Sequence, residues 1–221
     1  YNTFIIGHWK RILLGIQSQI LWSYNMNIEH ETVSRWFNYV RAKNDSRFTE
    51  CFWDTQLKSK AEIIDNIPPD LNGDYYIFGG WYGVLAHLID DNLITHDIFT
   101  IDIDPKCKKI GDTFFIRPYI TYVTDDMSKY KYENADVVIN TSTEHVSQEE
   151  YDDWWNNIPR DTFYAVQGND LDIPEHIRPC FTLEGFEMKN RCTNITFSSE
   201  MKLPGPNNTT YTRFTVMGYK S

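Results

Sequence analysis

Two kinds of residue in this chain have the type and spacing to do chemistry: glycines that leave backbone amides open to a ligand, and acids that end apolar runs. Both meet in residues 75–104, YYIFGGWYGVLAHLIDDNLITHDIFTIDID. An apolar run over 75–78 leads into Gly79, Gly80, Trp81, Tyr82 and Gly83. A helical pattern then passes through Val84, Leu85, Leu88 and Ile89, and a second apolar run over 98–103 ends in Asp102 and Asp104. Strand, turn, helix and strand in that order open a β-α-β nucleotide-binding unit. Glycine lets the first strand turn sharply into a helix whose free N–H groups face a ligand, and an acid at the end of the next strand can accept both hydroxyls of a ribose. Asp102 follows Gly79 by 23 residues, near the spacing of about 20 that this geometry asks for. Trp81 stands where the dinucleotide pattern G-x-G-x-x-G has its second glycine, and its bulk crowds a pyrophosphate. The loop therefore suits a nucleoside better than NAD; the plainer alternative is a tight turn in a structural α/β domain.

Further candidates lie at the ends of later apolar runs. Asp126 follows Ile120, Tyr122 and Val123, Asn140 ends the run ADVVIN, and Gln167, Gly168 and Asn169 end TFYAVQ. In an open α/β sheet the ligand crevice lies outside the carboxyl ends of the strands, so Gly79, Asp102, Asp126 and Asn140 are expected to converge. Glu144 and His145 read either as a base near the reacting group or as a helix-start carboxylate with a buried imidazole that fixes the loop. His87, His96, His145 and His176 are dispersed and show no recurring metal spacing, so no metal is expected. Cys51, Cys107, Cys180 and Cys192 form no C-x-x-C pair, which removes zinc knuckles and dithiol motifs.

The elements that must position these residues divide the chain at 66/67. Residues 1–66 read as a helical extension or lid, with one face of Ile12, Leu13, Ile16 and Ile20, another of Val33, Trp36, Phe37 and Val40, and a third beginning at Phe48 and Phe52. His8, Trp9, Lys10, Arg11, Trp22 and Tyr24 are rim packing or the lining of a substrate entrance. Lys60, Ala61, Ile63 and Ile64 belong to the last helix before the sheet, which Pro68-Pro69 ends. In residues 67–221, 105–110 is a short helix or turn, and the β-branched 135–140 suits a parallel strand buried on both faces. Ser147 with Glu150 three residues on is a capping candidate, and 174–185 has the length of a short helix with a turn. Two strand-like runs, 194–203 and 211–219, joined by Pro204-Gly205-Pro206-Asn207-Asn208, predict an antiparallel hairpin.

A length of 221 residues holds one domain of ordinary size plus a short extension. The 34 aromatic residues require a packed core. A formal charge of −10 repels a phosphate backbone over most of the surface, which disfavours nucleic acid and leaves neutral or cationic small partners. No run of 18 apolar residues and no signal-peptide pattern is present, so a cytoplasmic protein without a membrane segment is expected; the start at Tyr1 leaves a removed leader open.

Over roughly residues 64–221 the chain resembles the class I, Rossmann-like S-adenosylmethionine-dependent methyltransferases. The glycine motif at 78–83, TIDIDP at 100–105, VTDDM at 123–127, DVVINTSTEHV at 136–146 and the closing hairpin carry the likeness, in family order. The resemblance implies an α/β fold: a seven-stranded, mostly parallel sheet with helices on both faces and an antiparallel C-terminal hairpin. It also implies S-adenosylmethionine as cofactor and methyl transfer to a small molecule, with an amine among the candidates. Position by position, Gly79, Gly80, Trp81 and Gly83 correspond to the loop beside the methionine part, and Asp102, with Asp104 as second choice, to the ribose acid. Asp126 matches the acid that accepts from the adenine amino group, and Met127 the residue against the ring. Asn140 and Thr141 match the strand end where cofactor meets acceptor, with Asn140, Glu144 and His145 as catalytic candidates. Trp81 replaces the middle glycine of the family loop, and Ile77 stands where an acid is usual. The Asn/Asp-Pro-Pro-Tyr motif of amino-methylating enzymes is absent after the fourth strand, which counts against an adenine DNA methyltransferase. An aminopropyltransferase-like enzyme and a degenerate cofactor-binding scaffold are the alternatives.

Overall fold

A computed structural model describes residues 28–43, 45–93, 96–205 and 209–221. The expectations for Ile12 to Ile20 and for His8 to Arg11, Trp22 and Tyr24 lie outside the described residues. Strands β1 (Tyr75–Phe78), β2 (Ile98–Asp102), β3 (Ile120–Thr124), β4 (Val137–Asn140), β5 (Phe163–Asn169), β6 (Ile195–Pro204) and β7 (Thr210–Tyr219) form one seven-stranded sheet in the order β3-β2-β1-β4-β5-β7-β6. The first five run parallel, and β7 is antiparallel to both β5 and β6. The central strands β1 and β4 are buried at every position, as continuous apolar runs between two helical layers must be.

Alternation along the strands sorts the core into two halves. Tyr75 and Ile77 face one side, with helices α1 (His30–Lys43), α2 (Ser46–Glu50), α3 (Asp54–Asn66), α4 (Val84–Asn92) and α5 (Pro105–Phe114). Tyr76 and Phe78 face the other, with α6 (Gln148–Asn157) and α7 (Leu183–Lys189). Helices α1 to α3 therefore share a core with the sheet: Trp36, Tyr39 and Phe48 pack in one cluster with Tyr82, Phe115 and Ile77. The buried face of α1 is Thr32, Trp36 and Tyr39. That face is rotated from the expected stripe, leaving Val33 and Phe37 half-buried, because Tyr39 packs against Phe48, Phe114 and Phe115 and donates to Asp45 at 2.8 Å. Arg117, beside β3, ties the start of α1 to the end of α4 through Glu29 and Asp91 at 2.9 and 2.7 Å.

The expected capping box is present at α6: Glu150 N donates to Ser147 Oγ at 3.2 Å and Ser147 N to Glu150 Oε2 at 2.8 Å. Residues 174–178 form turns and the helix starts only at Leu183. The chain is held open there because Arg178 turns inward, its guanidinium 4.0 Å from the Tyr151 ring centroid and donating to Asn190 Oδ1 at 2.7 Å. No helix among the described residues is long and apolar enough to cross a membrane.

Candidate functional site

The loop between β1 and α4 passes through the left-handed region at Gly79 (φ 61°), Trp81 (φ 54°) and Gly83 (φ 76°). Glycine adopts that region freely, whereas a tryptophan there is strained by about 1–2 kcal/mol. Three contacts offset the strain: Trp81 N donates to Asp102 Oδ2 at 3.0 Å, its ring stacks on Tyr82, and the Arg47 guanidinium lies 5.7 Å from the indole centroid. Gly80 serves a different need. A Cβ there would fall 1.9 Å from Thr100 Oγ1, so only glycine lets the loop press this close to β2.

Asp102 ends β2 against that loop, and its second oxygen accepts from Asp104 N at 3.0 Å. Asp104 does not line the cleft that adjoins this loop: it caps α5 through Lys106 N at 2.9 Å and pairs with Arg47 at 2.7 Å. The hydrogen bond from Arg47 holds the Asp104 carboxyl below the usual carboxylate range.

Asp102 and the loop open onto a cleft of about 1070 Å³ bounded by α2 and α3, the exit of β4, the segment after β5 and the β6–β7 hairpin. Gly79, Gly80, Trp81, Asp102, Thr141, Glu144 and His145 line it. Gly83, Asp104, Asp126, Met127 and Asn140 are not among the residues that line it. Asp126 is turned into its own loop, accepting from Ser128 N, Ser128 Oγ and Lys129 Nζ at 3.0, 2.8 and 2.8 Å. Asn140, 1% exposed, shapes the β4 exit instead. Its Oδ1 accepts from Ser142 N at 3.0 Å, and its Nδ2 lies 3.8 Å from Met127 Sδ.

Beyond that exit, residues Thr143–His145 form a 3₁₀ turn. Glu144 is 3% exposed; Oε1 accepts from Asn169 Nδ2, and Oε2 has no partner among the described residues. The His145 ring is exposed rather than buried. Its Nδ1 lies 3.0 Å from Glu175 O, and since a carbonyl only accepts, Nδ1 carries the proton. The four histidines dispersed in sequence are not all dispersed in space: the ring centroids of His145 and His176 are 4.7 Å apart.

No protein-family model and no curated protein matches the chain. Solved structures do. YcgJ from Bacillus subtilis is 8% identical with a TM-score of 0.58, covering 74% of this chain and 98% of its own. The N-methyltransferase NodS from Bradyrhizobium japonicum, in complex with S-adenosylhomocysteine, is 7% identical with a TM-score of 0.57 and coverage of 86% and 99%. The 1,6-didemethyltoxoflavin N1-methyltransferase from Burkholderia thailandensis, with bound 1,6-didemethyltoxoflavin and S-adenosylhomocysteine, is 14% identical with a TM-score of 0.57 and coverage of 87% and 91%. The fold is that of the class I S-adenosylmethionine-dependent methyltransferases.

Within that methyltransferase fold, the walls present suit part of the expected cofactor. Each Asp102 oxygen keeps a lone pair beyond the amide it accepts, which fits a pair of ribose hydroxyls, and Gly79 and Gly80 leave bare backbone beside it. The acid expected at the adenine end, Asp126, is absent from the cleft walls.

Lys60, Arg47 and Arg213 line this cleft without having been expected there, and so does His176, which the sequence offered only as one of four dispersed histidines. Lys60 sits on the buried face of α3 with Leu57, Ala61 and Ile64, and a lone lysine on an apolar helical stripe is a signal that the sequence did carry. Its Nζ donates to Gln56 Oε1 at 3.1 Å, and burial pulls it down to about 8. Arg213, 5% exposed on β7, directs Nη1 at Thr141 O at 3.4 Å while its Nε has no partner among the described residues. Nothing local in the sequence places Arg213 or His176 at the cleft, because both reach it through the return of the chain after β5.

Proposed function

We propose that the protein transfers a methyl group from S-adenosylmethionine to a small molecule with a nucleophilic nitrogen. The observation that carries this reading is Asp102, set against the glycine loop and open to the cleft on a methyltransferase fold. Two of the similar structures are N-methyltransferases, which favours a nitrogen acceptor. The cofactor, when bound, supplies an activated methyl group, so the protein's own part is to place the nucleophile in line and keep water out. Asp102 and the bare backbone of Gly79 and Gly80 would hold the ribose and amino-acid portions. Lys60 and Arg213 give the far wall positive charge, in contrast to the net −10 of the chain, and would bind a carboxylate of the cofactor or the acceptor. Thr141, Glu144 and His145 form the wall that faces the acceptor, where Glu144 and His145 orient it.

Calorimetry with S-adenosylmethionine and S-adenosylhomocysteine tests the reading, followed by incubation with methyl-labelled cofactor and a panel of small amines. Binding followed by a labelled product is expected. Absence of heat with either ligand at high micromolar concentration overturns the proposal; binding without turnover on any acceptor supports a scaffold, and turnover only with decarboxylated cofactor supports aminopropyl transfer.

A further inference from the structure

Glu144, His145 and His176 each offer one ligand atom, and these three atoms all lie within 4.8 Å of one another on the cleft wall. The two histidines come from different segments, 31 residues apart in sequence. Each ring is already oriented by a backbone carbonyl: Nδ1 of His145 donates to Glu175 O at 3.0 Å, and Nδ1 of His176 to Leu171 O at 2.8 Å. With Nδ1 protonated, the nitrogen left with a lone pair on both rings is Nε2. The carboxylate is prepared in the same way: Asn169 Nδ2 donates to Glu144 Oε1, and the buried Oε2 has no partner among the described residues. If these histidines only fixed loops, the backbone bonds would be their whole purpose and the orphaned carboxylate oxygen would have none. A buried acceptor without a partner is destabilising, a loss that a bound cation removes.

We propose that Glu144, His145 and His176 bind a first-row transition-metal cation of the Zn²⁺ or Fe²⁺ type. Two imidazoles and one carboxylate suit these cations, whereas Mg²⁺ and Ca²⁺ take sites built from oxygen. Hydrogen bonds from ligand imidazoles to carbonyls, and to a ligand carboxylate from an amide, are the outer contacts that metal sites use to fix tautomer and orientation. With bonds of about 2.1 Å, tetrahedral ligands stand ~3.4 Å apart, so the ligand atoms, within 4.8 Å of one another, close by up to about 1.4 Å on binding. The exposed His145 ring has room for that movement. Three protein ligands leave a coordination position open, and the cleft is where a lone-pair donor on a small molecule can reach it. The metal assignment does not depend on the cofactor, although Glu144 and His145 also belong to the wall proposed to face the acceptor.

The test uses full-length protein stripped with a chelator and titrated with Zn²⁺ and with Co²⁺ alone, read by native mass spectrometry, calorimetry and the visible absorption of bound Co²⁺. One equivalent is expected, and His145→Gln and His176→Gln should each weaken binding more than ~10-fold. His96→Gln, at an exposed ring outside the cluster, should leave it unchanged. Circular dichroism melts of the same variants separate lost ligation from lost folding. No uptake by the wild type, or equal affinity and stoichiometry in the His145→Gln/His176→Gln double variant, would overturn the proposal. Displacement of Zn²⁺ by equimolar Mg²⁺ would overturn the assigned metal class. S-adenosylhomocysteine binding measured on the same metal-free protein reports on the methyl-transfer reading alone.

Discussion

Asp102 does two jobs with one carboxylate: it pins the amides of Trp81 and Asp104 and keeps its remaining lone pairs toward the cleft. Asp102→Ala should therefore weaken S-adenosylhomocysteine by roughly 5–150-fold in calorimetry, the equivalent of about 1–3 kcal/mol for hydroxyls left without an acceptor. An unchanged dissociation constant would remove Asp102 from the cofactor site. His87 gives a second residue-scale expectation. It is fully buried between Trp36 and Phe115, with Nε2 3.2 Å from the Tyr122 hydroxyl. Burial, with Arg117 and Arg35 nearby, pulls the imidazole down to about 3. The unfolded chain takes up this proton below its ordinary value near 6.5 and the folded chain refuses it. The His87 contribution is thus fully present above ~6.5 and is lost as pH falls toward ~3, by up to about 1.4 kcal/mol per pH unit. His87→Phe should flatten that part of the slope in denaturant titrations between pH 4 and 7, even if the lost Tyr122 contact lowers stability throughout. A slope as steep as that of the wild type would assign acid sensitivity to other groups.

At the scale of elements, the β1–α4 loop is defined as much by what it presses against as by its own turns. Gly80→Ala should lower stability by about 1–3 kcal/mol through overlap with Thr100. Thr100→Ala removes the Oγ1 that a new Cβ would meet at 1.9 Å. The double variant should therefore recover part of the loss in thermal melts, and strict additivity would rule out the clash as the cause. The strands themselves were legible in the sequence because runs such as ADVVIN can only be buried on both faces, and the closing hairpin because turn residues separate two strand-like runs. The capping box at Ser147 and Glu150 was legible because it is a local chemical pairing. Legibility failed where partners are distant. The face of α1 is set by aromatic rings from α2 and α5, and the inward turn of Arg178 keeps 174–178 from becoming helix. The nearness of His145 and His176 depends on the path of the chain after β5, which spacing along one element cannot reveal. Asp126 has the expected type and place in the sequence, yet its own turn supplies nearer donors in Ser128 and Lys129.

Across the whole molecule, the helical layer of α1 to α5 is keyed to the far end of the sheet by a short column of polar groups. Gln167 on β5 donates from Nε2 to Ser59 O at 3.0 Å and to Thr215 Oγ1 at 2.9 Å. Thr215 donates onward to Glu62 Oε2 at 2.5 Å, and Ser199 donates to Glu62 Oε1 at 2.7 Å. Glu62 is thus joined to residues 137 and 153 positions later. Contacts of such separation must first overcome the entropy of closing a long loop, so they are expected to form late, after the rate-limiting step of folding. Glu62→Gln should then leave the refolding rate nearly unchanged and speed unfolding, as stopped-flow measurements across a denaturant series can show. Equal slowing of refolding would place the column in the folding nucleus. The same carboxylate that holds α3 over β6 and β7 thereby governs how long the protein, once folded, stays so.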